Sequence, residues 1–160
     1  MDITIVDVGG EKSERKKWLS CFESVQAVLF VASMAEYDLQ MADDPETNQL
    51  TDTLRLFESI CNLKWFTHTA LMLFLNKKDI FARKIKSIPL EKCFPEYDGP
   101  PRSYENASVF IWQLFERQCK LERVIYRHFT CARNRNNIQR VFDVVKDDIK
   151  RLSLCHLGLS

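Results

Sequence analysis

Two short apolar runs, at residues 25–32 and 70–75, and a third strand candidate at 124–129 punctuate a chain whose other hydrophobic residues recur mainly at helical spacing. Runs of that length bounded by polar loops suit strands buried on both faces, and such strands belong to parallel sheets covered by helices. A further run at residues 3–6 is β-branched and reads as another strand, ending at Asp7-Val8-Gly9-Gly10. Residues 11–22 carry Trp18, Leu19 and Phe22 at helical spacing, and Leu50, Leu54, Phe57 and Cys61 repeat by four, three and four. Tyr104, Ala107, Ile111, Leu114, Phe115 and Gln118 suit another helical face, as do Ile138, Val141, Phe142, Val145, Ile149 and Leu152. Residues 38–48 and 76–79 read as polar loops. The stretch to Pro101, broken by Pro89, Pro95, Gly99 and Pro100, reads as a long surface connection. The alternation predicts an α/β fold with a mainly parallel sheet and flanking helices, in which ligands sit in loops at the carboxyl ends of the strands.

Composition narrows the function. Lys+Arg 23 against Asp+Glu 22 leaves a net charge of +1, so no charge field draws nucleic acid or anionic lipid, and no nucleic-acid partner is expected. The six cysteines fall at irregular spacings without a C-x-x-C pair, which disfavours a zinc site or a disulfide scaffold and favours a reduced setting. They read as buried small hydrophobes, apart from Cys21. His68, His128 and His156 show no metal or catalytic pattern and read as satisfied surface or core histidines.

Chemistry is sought in the loops that follow the strands. An Asp before Gly-Gly, as at Asp7 to Gly10, lets a carboxylate face hydrated Mg²⁺ while a glycine N–H approaches a terminal phosphate. Asn76-Lys77-Lys78-Asp79 offers an amide, an aliphatic stem to cover a flat base, and a carboxylate able to accept two N–H donors. Guanine has that donor pair and adenine does not. Thr130-Cys131-Ala132 is the third such loop.

Taken together the loops resemble those of heterotrimeric G-protein alpha subunits. Residues 7–18 are similar to the family's switch II, and Phe74-Leu75-Asn76-Lys77-Lys78-Asp79 to its guanine-recognition loop. Phe57-Glu58-Ser59-Ile60-Cys61-Asn62, Lys64-Trp65-Phe66, Pro95-Glu96-Tyr97 and His128-Phe129-Thr130-Cys131-Ala132 resemble the inhibitory (i/o/transducin-like) branch. The resemblance runs over residues 1–160 and implies the carboxyl-terminal part of a Ras-like P-loop GTPase domain. It implies a subunit that binds GTP and GDP with Mg²⁺ and carries receptor signals to effectors.

By that resemblance Asp7 would support Mg²⁺ through water, Gly10 would meet the γ-phosphate, Asn76 and Asp79 would read the guanine edge, and Lys77 would lie on its face. Cys131 and Ala132 would complete the base site, Ala132 through its backbone N–H. Lys17, Trp18, Cys21 and Phe22 would face the βγ dimer, with core packing as the plainer reading of Trp18 and Phe22. The last helix would meet a G-protein-coupled receptor, and adenylate cyclase is the kind of effector implied. The family works at the cytoplasmic face of the plasma membrane, although Met1-Asp2 offers no lipidation motif. No G-x-x-x-x-G-K-[ST] phosphate loop occurs, and the family's first two strands and helical insert have no counterpart here. Glu11 stands where the family has its catalytic glutamine; a carboxylate accepts a proton but cannot donate to a phosphoryl oxygen. Two alternatives follow: a truncated interaction module that holds βγ and receptor without nucleotide, as a decoy, or an inactive gene fragment.

Overall fold

The computed structural model describes residues 4–9, 18, 25–67 and 69–156. Strands β1 (Ala27–Ser33), β2 (Ala70–Asn76) and β3 (Ile125–Phe129) form one parallel sheet in the order β1-β2-β3. Ser33 pairs with Asn76 and Leu75 with Phe129, so the three strands end at the same edge and present their following loops side by side. The helices are α1 (Gln49–Cys61), α2 (Lys78–Lys84), α3 (Tyr104–Gln118) and α4 (Arg135–His156).

The unbroken apolar run of β2 is explained by burial on both faces. Leu71, Leu73 and Leu75 enter one core with α1 and α3, while Ala70, Met72 and Phe74 meet Val141, Val145 and Ile149 of α4. An alternating strand could not serve both layers. The larger core centres on Phe57, fully buried and edge-on to Phe30 at 5.0 Å and to Phe115 at 5.3 Å between ring centroids. All four residues of the α1 stripe are buried. Asn48 starts that helix: its side chain accepts from the Leu50 and Thr51 amides at 2.9 and 3.2 Å, and donates to the Tyr37 carbonyl at 2.6 Å. The cap therefore fixes both the first turn and its approach to the sheet.

Five expectations about the fold need correction, the first being the strand at 25–32, which is buried on one face only, with Leu29 and Val31 exposed on the other. Residues 4–9 form no strand, and Ile5 and Val6 are 64% and 62% exposed, because the free edge of β1 is not engaged and a lone extended segment cannot satisfy its own backbone. Residues 76–79 are not simply a loop: Asn76 ends β2, and α2 starts after a single intervening residue. The proline-broken stretch is more than a surface connection, since Phe81, Ile85, Leu90, Phe94 and Tyr97 all enter the main core. Finally, β3 is half-buried rather than buried, because it is an edge strand that pairs only with β2 among the described residues. The helix expected at 11–22 lies outside the described residues except for Trp18.

Candidate guanine-recognition site

The site grows from the edge where β2 and β3 end. Lys77 takes a left-handed backbone, φ 58 and ψ 33, which turns the chain from strand into helix in one residue. A lysine there is less favourable than glycine by about 1 kcal/mol, so the turn is held by its surroundings. Those surroundings are the start of the next loop. Thr130 donates its amide to the Leu75 carbonyl at 2.9 Å, and its own carbonyl accepts the Lys78 amide at 3.2 Å.

Side chains extend the same junction. Asn76 Oδ1 accepts from Thr130 Oγ1 at 3.2 Å and from the Ala132 amide at 3.1 Å. The Cys131 amide donates to Asn137 Oδ1 at 2.8 Å, anchoring the loop on the first turn of α4. Asp79 accepts a hydrogen bond from the Cys131 thiol, and this, chiefly, holds its carboxyl below the usual range. The residue is thus an anion, with acceptor capacity left for further donors. Lys77 Nζ reaches Glu36 Oε1 at 3.3 Å from an exposed position, which draws its stem across the loop. Beneath it Lys84 Nζ bonds the Asp38 carboxylate and the Ala35 carbonyl, tying α2 to the loop after β1.

Asn76, Lys77, Asp79, Cys131 and Ala132, five residues singled out from sequence, therefore share one site. Asp7 lies exposed in the 4–9 segment, and Gly10, Glu11, Lys17, Cys21 and Phe22 lie outside the described residues. Trp18 packs partly buried against the main core and donates its indole N–H to the Gly9 carbonyl at 2.8 Å. Thr130, Asn137 and Glu36 are site residues that the sequence did not assign. Thr130 sits inside a recognised loop, but its partner is 54 residues away. Glu36 has no local signal, being 41 residues from Lys77. His128 is a core histidine but not a satisfied one: it lies edge-on to Phe74 at 5.3 Å, and its Nε2 is buried without a partner. Among the described residues no group of three His, Cys, Asp or Glu could hold a metal, and no helix is long and apolar enough to cross a membrane.

A parallel sheet with helices on both faces, carrying an Asn-Lys-x-Asp turn braced by the loop of the neighbouring strand, defines part of a Ras-like α/β GTPase domain. The family model described as G-protein alpha subunit matches residues 1–149, and the chain belongs to that family, in its i/o branch. It is 50% identical over 160 residues, 99% of its length, to the guanine nucleotide-binding protein G(o) subunit alpha of Lymnaea stagnalis. The chain spans 45% of the length of that relative.

Proposed function

We propose that the loops after β2 and β3 form the guanine face of a nucleotide site in a signalling GTPase. The observation that supports this most is the double hydrogen bond on Asn76 Oδ1 from Thr130 and Ala132. It engages the amide oxygen and leaves the NH₂ as the group available to a ring-nitrogen acceptor. Asp79 is ionised and partly exposed beside it, suited to a neighbouring pair of N–H donors. The exposed Ala132 is positioned to share its amide with a base oxygen, and the Lys77 stem can cover the ring face. These residues fit guanine and leave adenine without a matching donor pair.

Mg²⁺ and phosphate contacts through Asp7 and Gly10, and the impaired catalytic position at Glu11, rest on family resemblance. So do a βγ surface at Lys17, Trp18, Cys21 and Phe22, a receptor contact through α4, an effector such as adenylate cyclase, and a place at the cytoplasmic face of the plasma membrane. Bound Mg²⁺ would supply charge neutralisation at the phosphates.

Base recognition is tested by adding GDP or ADP to the isotope-labelled chain and following amide shifts. With no phosphate-loop motif in the sequence, binding near about 1 mM is expected, roughly 4 kcal/mol. GDP should perturb residues 76–79 and 130–132, ADP should not, and Asp79→Asn should abolish the GDP response while admitting a xanthine nucleotide, whose ring carbonyl needs a donor. Equal responses to GDP and ADP would overturn the assignment.

A further inference from the structure

We propose that Cys61 and Cys119 form a reversible dithiol–disulfide couple, oxidised by hydrogen peroxide, that ties the end of α1 to the end of α3. Cys61 is the last residue of α1 and fully buried, and Cys119 directly follows α3 and is half-buried. The carboxamide of Asn62 grips both sides of Cys119: Nδ2 donates to the Gln118 carbonyl at 2.8 Å, and Oδ1 accepts the Lys120 amide at 2.7 Å. The same Nδ2 reaches Cys61 Sγ at 3.4 Å. Lys120 Nζ and Glu58 Oε1, 2.7 Å apart, add a second tie between the helix ends. The thiols donate to the Glu58 and Leu121 carbonyls at 3.7 and 3.6 Å, and each lies close enough to act on the other electrostatically.

What sets this pair apart from the other described cysteines is that its two members lie side by side at two helix ends. Arg123 donates through Nη2 to the Thr69 carbonyl, while its Nε and Nη1 are buried without partners, and its guanidinium attracts both thiols. At Cys61 the guanidinium opposes the effect of burial without overcoming it. Cys131 instead donates to the Asp79 carboxylate, and the Cys93 thiol is pushed up by burial and then by Asp38. Burial pushes the Cys61 thiol up to about 12, so Cys119, the more accessible sulfur, meets the oxidant first.

The chemistry balances in two steps. Cys119 thiolate attacks one peroxide oxygen, the O–O bond breaks, and the departing hydroxide takes a proton to become water, leaving a sulfenic acid. Cys61 sulfur then attacks the Cys119 sulfur as the S–O bond breaks; the Cys61 proton leaves with the hydroxide as a second water, and the S–S bond forms. The sulfur pair loses two electrons and the peroxide gains them. A small thiol in excess reverses the bond by exchange. The closed loop contains β2 and the Asn76 to Asp79 turn, so oxidation constrains the base-recognition segment.

The reduced chain is treated with hydrogen peroxide, capped with an alkylating agent, and mapped by mass spectrometry without reductant. A Cys61–Cys119 crosslinked peptide, lighter by two hydrogens than its parts, should exceed any other disulfide by about tenfold and vanish with dithiothreitol. Recovery of Cys61 and Cys119 as separate capped or hyperoxidised peptides would overturn the proposal, and that result needs no variant. In Cys61→Ser, Cys119 should accumulate as a sulfenic acid captured by a 1,3-diketone. In Cys119→Ser, Cys61 should stay reduced at the same peroxide dose; its oxidation at an unchanged rate would overturn the order of attack.

Discussion

Asn76 and Thr130, 54 residues apart, meet at 3.2 Å between amide oxygen and hydroxyl, and this contact joins the ends of two neighbouring strands. Thr130 is only 1% exposed, so its hydroxyl has no recourse to water if the acceptor is removed. The Ala132 amide, which shares that acceptor, sits at an exposed residue and can be hydrated.

Asn76→Ala should therefore destabilise the chain by about 1–3 kcal/mol, most of it from the stranded Thr130 hydroxyl. Thr130→Val, which removes the donor and keeps the shape, should cost less. In the double variant the two losses should fall short of additivity by about 1 kcal/mol in urea unfolding. Strict additivity would mean that the two side chains do not support each other.

Local pattern carried α1, α3, α4 and the central strand, because 3.6-residue periodicity and an unbroken apolar run are properties of contiguous residues. Leu50, Leu54, Phe57 and Cys61 declared a buried face, and residues 70–75 a strand buried on both sides. Asn76, Lys77 and Asp79 were legible because one short turn holds them all. What escaped depended on distant partners. The left-handed Lys77 that starts α2 is stabilised by Thr130, and the burial of Phe81 and Phe94 follows from tertiary packing against a stretch whose prolines suggested only surface. The strand expected at residues 3–6 is not found over the described residues 4–6 for the same reason: a strand is defined by its neighbour, which a local pattern does not name.

His128 supplies a pH test. Burial pushes its imidazole below the usual value of 6.5, opposed by the nearby Asp148 carboxylate, which already pairs with Arg151 at 2.6 Å. Phe74 packs against the ring at 5.3 Å and brings no charge. Because the folded state resists protonation, the unfolded chain binds more protons just below 6.5. Stability is fully present above that value and declines as pH falls through the window toward the folded pKa, with a slope below about 1.4 kcal/mol per pH unit for one proton. His128→Phe should flatten the fall of the urea midpoint as pH drops below 6.5, the ordinary imidazole value. A variant that keeps the full decline would assign it to other groups.

The last prediction concerns the outer strand. On β1, Phe30 and Ala32 are buried against the main core, but Leu29 and Val31, on the opposite face, are 39% and 56% exposed. Among the described residues β1 pairs only with β2, so its other edge offers free backbone donors and acceptors beside exposed apolar side chains. That combination templates strand addition by another chain, and a charge on the exposed face is the usual remedy. Val31→Lys replaces a mostly exposed side chain, and the new stem can lie along the sheet while the ammonium stays in water. Unfolding free energy should therefore change by less than about 0.5 kcal/mol. Concentration-dependent self-association, followed by sedimentation velocity, should fall in Val31→Lys and further in the Leu29→Lys, Val31→Lys double variant. Val31→Thr, equally β-branched and uncharged, should reduce it less, since it leaves the edge without a like-charge repulsion. Self-association unchanged by both lysine variants would place the sticky surface elsewhere, with the exposed Ile5 and Val6 next in line.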